Sequence, residues 1–407
     1  MSGAIRRSSV LTLAAIVGLA PFAIDMYLPS LPEIGVDLAA PVWLTQLTLT
    51  GYLLVLGIGQ LVAGPITDAV GRRRPLILGL AVFTLGSGLA AVAPSMAVLI
   101  AARLLQAFGG ATALVVANSS VRDSARGDAA TRLYAVLLTV GALAPIVAPT
   151  AGGFLGSSFG WRSVFVALAV IGVVVTLAAV AFLPESLPAT ARIRFSGREV
   201  MGGYRRTLGS KAFVIPLVTF SLMYMAMFTY IGGATYVYQG TFGMDPAVFG
   251  TVFGATGLSL LVGALVANRL SERLGTRRLG LLGILLTIVG ASAVTLAILV
   301  HLPVWAVVAS MALALFGVGV SEPALMSLSM SAVETGTGSA AAVLGAAQYV
   351  LGAAATAVVG AVAAISPAGW GLLMAVLALV AFVLLAGSRP RKVRSVAVAV
   401  AHEHAGR

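Results

Sequence analysis

The 407-residue sequence predicts an all-α membrane protein: twelve transmembrane helices in two pseudo-symmetric six-helix bundles. Three observations carry this. The chain is 59% hydrophobic and 9% charged, against about 25% charged residues in ordinary soluble proteins, and its mean hydropathy is +1.05. The apolar residues gather into twelve segments of the length that crosses a bilayer as a helix, about 20 residues. All but two of the 25 basic residues fall on one face when twelve crossings are counted, and one crossing more or fewer would scatter them.

The segments run roughly over 9–31, 42–67, 75–93, 96–121, 131–156, 162–183, 212–238, 247–268, 279–299, 304–329, 339–364 and 368–387. The first follows Arg6 and Arg7, but its apolar run outlasts a signal-peptide core and more apolar segments follow, so it reads as a spanning helix. Arg72, Arg73 and Arg74 follow the second segment; Arg122, Arg126 and Arg132 follow the fourth. Six basic residues from Arg192 to Lys211 lie in the 184–211 connection, and Arg269, Arg273, Arg277 and Arg278 follow the eighth segment. Arg389, Arg391, Lys392, Arg394 and Arg407 are in the tail. The exceptions are Arg103, inside the fourth segment, and Arg162, on the opposite face. The expected organisation is a bundle over 1–187, a cytoplasmic loop over 188–211 and a bundle with a tail over 212–407, both termini being cytoplasmic. Arginine far outnumbers lysine (only Lys211 and Lys392), and with abundant Ala and Gly this points to a GC-rich bacterial genome and so to the bacterial cytoplasmic (inner) membrane.

Several function classes are set aside. The net charge of +12 is loop charge on a membrane protein, so no nucleic-acid partner is expected. The chain has no cysteine, and His301, His402 and His404 lie outside the long apolar segments, so neither a metal nor another cofactor is expected. No G-x-x-x-x-G-K loop supports ATP drive. The helices lack the clustered nucleophiles and acid–base groups of an intramembrane enzyme, and no segment is long enough for a sensor's output domain.

The two halves echo each other. Gly71-Arg-Arg-Arg matches Gly275-Thr-Arg-Arg at an offset of 204, with Asp68 opposite Glu272, and Phe108-Gly109 matches Phe316-Gly317 at an offset of 208. Duplicated helical units characterise secondary transporters.

Within this frame, Asp25 stands about 16 residues into the first segment and Arg103 about 7 residues into the fourth, which at 1.5 Å per residue places both at similar depth in the outer half of the membrane. Charge there costs about 2.5–3.5 kcal/mol or more and normally faces a wet cavity or a partner. Competition among a proton, Arg103 and a cationic substrate for the Asp25 carboxylate would suffice for exchange; the alternative is a static salt bridge. In the fifth segment Gly141, Pro145, Pro149 and Gly152 share one face, giving a bent, small-residue seam that suits a rocking or sealing helix as well as tight static packing. In the seventh, Tyr224, Phe228 and Ile231 share a face beside Met225, which suits a promiscuous apolar pocket or plain packing. Thr45, Thr48 and Tyr52 share a face of the second segment; Gln348 and Tyr349 lie near mid-membrane in the eleventh. Glu322 matches Leu114 in the repeat and should face the cavity, though its nearness to the cytoplasmic end favours snorkelling or helix capping. Gly71 permits a tight turn at the membrane face, and Arg73 and Arg74 read as orientation charge alone.

Taken together the motifs resemble those of the major facilitator superfamily. Gly64-Pro-Ile-Thr-Asp-Ala-Val-Gly-Arg-Arg-Arg-Pro75 is similar to its signature between helices 2 and 3, Arg103-Leu-Leu-Gln-Ala-Phe-Gly-Gly110 to its helix 4 signature, and the 141–153 stretch to its antiporter signature, with Ala144-Pro145 replacing the middle Gly-Pro. Ile24-Asp-Met-Tyr-Leu-Pro29, Gln46-Leu-Thr-Leu-Thr50 and Gly345-Ala-Ala-Gln-Tyr349 resemble the drug–proton antiporters of the bicyclomycin/chloramphenicol-resistance (Bcr/CflA) branch. The resemblance implies proton-coupled export of a small amphiphilic antibiotic such as chloramphenicol by a monomer in the lipid bilayer, protons and drug being its partners. A metabolite exporter on the same fold is the alternative. It further implies that Asp68, with Gly64, Gly71 and Arg72, closes a cytoplasmic gate beside helix 11, and that the fifth helix forms the extracellular gate.

Overall fold

The structure is a computed structural model and describes residues 6–125, 127–333 and 337–388. Arg126, the tail residues Arg389, Arg391, Lys392, Arg394 and Arg407, and His402 and His404 lie outside the described residues. The first crossing is α1 (Arg7–Asp25), a 3₁₀ turn (Leu28–Ser30) and α2 (Leu31–Asp37). It is longer than the segment expected from hydropathy and interrupted, because Pro29 has no N–H to continue α1. α3 (Val42–Val70), α4 (Arg73–Ala91), α5 (Met96–Ser124), α6 (Asp128–Phe159) and α7 (Arg162–Phe182) complete the first bundle. The second holds α9 (Lys211–Thr235), extended by a π-helical turn (Tyr236–Thr241), then α10 (Pro246–Leu274), α11 (Thr276–Leu299), α12 (Val304–Ser331), α13 (Thr337–Ile365) and α14 (Pro367–Gly387). Among the described residues twelve stretches are long and apolar enough to cross a membrane, as expected.

The 188–211 connection is not a plain loop, as the sequence had implied. It contains α8 (Gly197–Gly209), which starts where the Ser196 hydroxyl accepts the Glu199 N–H and exposes Arg198, Arg205 and Arg206. Tyr204 Oη donates to Leu61 O of α3 at 2.9 Å, and Gly203 lies against Ser339 of α13. The helix therefore lies across both bundles on the face that carries the basic residues, here called the basic face; its opposite is the far face.

The sequence repeat reappears as backbone packing. Gly79 of α4 meets Gly109 of α5, and Gly283 of α11 meets Gly317 of α12, at the offsets of 204 and 208. Gly86 against Gln106 is repeated by Gly290 against Ala314. At each a Cβ would strike neighbouring backbone, so small residues set the approach of these helices. Arg73 and Arg277, also 204 apart, each bind the carbonyls at the end of their bundle's last helix. Arg73 donates to Leu183 O and Val180 O at 2.9 Å, and Arg277 to Leu385 O at 2.7 Å and Ser388 O at 2.6 Å. Unpaired C-terminal carbonyls attract a cation, so Arg73 is a helix cap rather than orientation charge alone.

Candidate transport site

Asp25 is the last residue of α1, where Pro29 forces the break. It is buried, and its Oδ1 has no hydrogen-bond partner. It lies in electrostatic range of Tyr27 and Tyr52 of the first bundle and of Tyr230 and Tyr349 of the second, and so near the junction between them. Arg103 is wholly enclosed. Its Cζ stands 4.3 Å from the Tyr27 ring centroid and 4.2 Å from that of Tyr52, a box of two aromatic faces. Nη1 donates to Gln106 Oε1 at 2.5 Å, and Gln106 Nε2 donates in turn to Ser87 Oγ at 2.7 Å. Nε and Nη2 have no polar partner, so the direct Asp25–Arg103 pair that the sequence left open is not formed. Aromatic faces and a glutamine, invisible as partners in the sequence, hold the guanidinium. The Tyr27 and Thr48 hydroxyls lie 3.3 Å apart, tying the box to α3.

The far half of the molecule is sealed by small residues of α6. Gly152 abuts the Met26 carbonyl, Gly156 meets Ser30, and Gly153 lies against Pro246 and Ala247 of α10. Gly250 and Gly254 of α10 pack on the Pro149 and Ile146 carbonyls. Pro145 lies near Gly257, whereas a Cβ on Gly141 would meet, among the described residues, the Val17 side chain at an ordinary 3.9 Å. Thr235 and Gln239 donate to Leu28 O and Pro29 O across the bundles at 3.0 and 2.9 Å. Outside this seal the far face carries a groove of about 570 Å³ whose walls include Leu31, Val36, Tyr236 and Asp245.

Along α3 and α13 the bundles touch from Gln46, which donates to Thr356 O at 3.1 Å, to Gln60, which faces Gly345. Nearer the basic face the contact thins: a Cβ on Gly64 or Gly338 would meet nothing within 4 Å, and α5 and α12 do not form a packed pair among the described residues. Asp68 accordingly serves its own bundle and does not bond α13. It pairs with Arg72 at 2.7 Å, and Arg72 pairs also with Asp123 at 2.9 Å and donates to Thr67 at 2.8 Å. Gly71 has φ +99°, and a Cβ there would stand 2.6 Å from Glu185 Oε2. Asp123 and Glu185 were missed in the sequence, where the only signal was acids within otherwise basic connections.

Glu185 accepts the Arg72 and Leu187 N–H groups at 2.8 and 3.1 Å. Burial pushes its carboxyl up, but the N–H groups of Arg72, Leu187 and Arg73 and the charge of Arg192 outweigh this and hold it below the ordinary 4.5. The lowered native value means that its stabilisation is present above pH 4.5 and is lost as pH falls from there through the lower native value. Glu185→Gln is expected to lower stability at neutral pH by about 1–2 kcal/mol, the low end for bonds to a charged group because the side chain is partly exposed. It should also flatten the acid limb of melting temperature against pH. Melting curves from pH 3 to 7 that superimpose on wild type would count against this role.

On α9 the Tyr224 hydroxyl donates to Glu322 Oε1 of α12. Tyr224 stands 4.7 Å from Phe220 and 6.4 Å from Phe228, and Phe228 stands 6.0 Å from Tyr349 of α13, between ring centroids. Glu322 lies nine residues before the end of α12 at Ser331 and bonds a neighbouring helix, so it neither snorkels nor caps. Gln348 and Tyr349 are half-buried on α13, and Tyr52 is buried against Arg103.

Two packed six-helix repeats, with isolated charges buried where they meet, define a secondary membrane transporter. The sequence matches the Major Facilitator Superfamily over residues 13–357, and the chain belongs to that family. It is 33% identical to the "Uncharacterized MFS-type transporter YdgK" of Bacillus subtilis, over 86% of this chain and 87% of that protein. It is 27% identical to a bicyclomycin resistance protein homolog of Haemophilus influenzae (65% and 67% covered) and 35% identical to a chloramphenicol resistance protein of Pseudomonas aeruginosa (44% and 43%). These relatives are consistent with the drug-efflux branch. The fold is that of the xylose transporter XylE from E. coli in a partially occluded inward open conformation, with a TM-score of 0.73 at 15% identity over 95% of this chain and all of that one.

Proposed function

We propose that the protein is a proton-coupled antiporter that exports small amphiphilic antibiotics, chloramphenicol among them, from the bacterial cytoplasm across the inner membrane. It works as a monomer with its basic face and both termini in the cytoplasm, in accord with the positive-inside rule. The observation that carries the reading is Asp25: a buried carboxylate without a cation partner, within electrostatic range of tyrosines of both bundles. The close α6 contacts in the far half, set against the thinner contact near Gly64 and Gly338, support entry of substrate from the cytoplasm. Rocking about the α6 seam opens the far side, where protonation of Asp25 favours release, and proton loss to the cytoplasm resets the site. Asp68, Gly64, Gly71 and Arg72 then shape the closing of the basic face, with α13 as the opposing helix. Resistance-protein relatives favour a drug over a metabolite as cargo. Chloramphenicol added to liposomes of the purified protein under a pH gradient is expected to drive proton movement. A folded protein giving none with a panel of antibiotics, but proton movement with amino acids or sugars, would be a metabolite exporter.

A further inference from the structure

Glu322 is an acid without a cation. It is half-buried in α12, and Tyr224 donates the one hydrogen bond that reaches it among the described residues. None of their ion pairs includes it. The repeat supplies no compensation either: at the offset of 208, the position matching Arg103 is Met311. A carboxylate at membrane depth normally has a partner, and here the protein provides rings instead. Phe220, Tyr224, Phe228 and Tyr349 follow one another at centroid distances of 4.7, 6.4 and 6.0 Å. Tyr349 is also in electrostatic range of Glu322. Gly352 makes room for this arrangement, since a Cβ there would stand 2.8 Å from Phe228 Cε2. Ring faces and a carboxylate attract the same ligand, an organic cation.

We propose that Glu322, Tyr224, Phe220, Phe228 and Tyr349 form a recognition site for the charged nitrogen of an amphiphilic substrate, a quaternary ammonium or protonated amine on an apolar ring system. The Glu322 carboxylate neutralises the nitrogen, Tyr224 orients the carboxylate, and the rings take the apolar body. This site deepens the export reading and rests on it, adding cations to the cargo and leaving Asp25 to the proton.

The test compares naphthylmethyl-trimethylammonium with neopentylnaphthalene, its uncharged isostere, binding to the full chain in lipid nanodiscs. Wild type is expected to favour the ammonium by about tenfold or more, a difference of about 1.4 kcal/mol. Glu322→Gln should bring the ratio to about one, Tyr224→Phe should lower it by about threefold, and Glu322→Asp should restore part of it. If the glutamine variant does not fold, the other two still decide. A wild type without preference, or a preference intact in the folded variants, overturns the site. Drug-driven proton movement without cation preference would sink this site and leave antiport standing. A Glu322-dependent preference without such movement would keep the site and sink antiport.

Discussion

Liposomes carrying Asp25→Asn are expected to show drug-driven proton movement no greater than empty liposomes. Asparagine keeps the shape of the side chain and removes its capacity to exchange a proton, so the change tests chemistry more than packing. Asp25 sits at the break between α1 and the following 3₁₀ turn, with Oδ1 unpaired, and Arg103 is held by rings rather than by its carboxylate. Removal of the charge therefore breaks no ion pair, which separates coupling from stability. One proton moving through 100 mV supplies about 2.3 kcal/mol, enough to hold roughly a fifty-fold drug gradient. The variant should hold none, while its drug–drug exchange at equal pH, which needs no net proton movement, should fall much less. Coupled movement that survives would pass the proton to Glu322, which also lies within a spanning helix and has no ion pair among the described residues. Exchange lost together with coupling would assign Asp25 to packing.

The crossings were legible because each needs about 20 apolar residues and because basic residues recur in every second connection, on one face. The offsets of 204 and 208 were legible too, and they reappear as glycine contacts between α4 and α5 and between α11 and α12. Depth along a helix follows from counting residues, so Asp25 and Arg103 could be found as isolated charges. Their partners could not. The box of Tyr27 and Tyr52, the bond from Tyr224 to Glu322 and the capping of α7 by Arg73 join residues far apart in the chain. Near-uniform hydropathy hides which face of a spanning helix meets which neighbour. The break at Pro29 and the helix α8 were missed for a local reason: the first lies inside an apolar run, and the second is short and polar.

Gly152→Leu is expected to open the far side. Its Cβ would collide with the Met26 carbonyl, at the junction where α1 breaks, and backbone there cannot step aside as a flexible side chain could. Overpacking of this kind costs about 1–3 kcal/mol or more. The cost falls only on the conformation in which α6 lies against Met26, so at 2–3 kcal/mol the balance would move by about 30–150-fold toward a parted far half. The chain has no cysteine, which makes a single Ser30→Cys an unambiguous reporter. Ser30 is buried beneath Gly156, within the same seal and behind the outer groove. A membrane-impermeant thiol reagent applied at the far face should label it slowly in the otherwise native chain and at least about tenfold faster with Gly152→Leu. Gly141→Leu is the internal control: it lies in the same motif, but a Cβ there would come only to within 3.9 Å of the Val17 side chain, so labelling should change little. Equal labelling rates in folded Gly141→Leu and Gly152→Leu would make the seam static packing and remove α6 from the gate. A rise confined to Gly152→Leu would mean that glycine is required at that position because the seal must close backbone to backbone and still separate in every cycle.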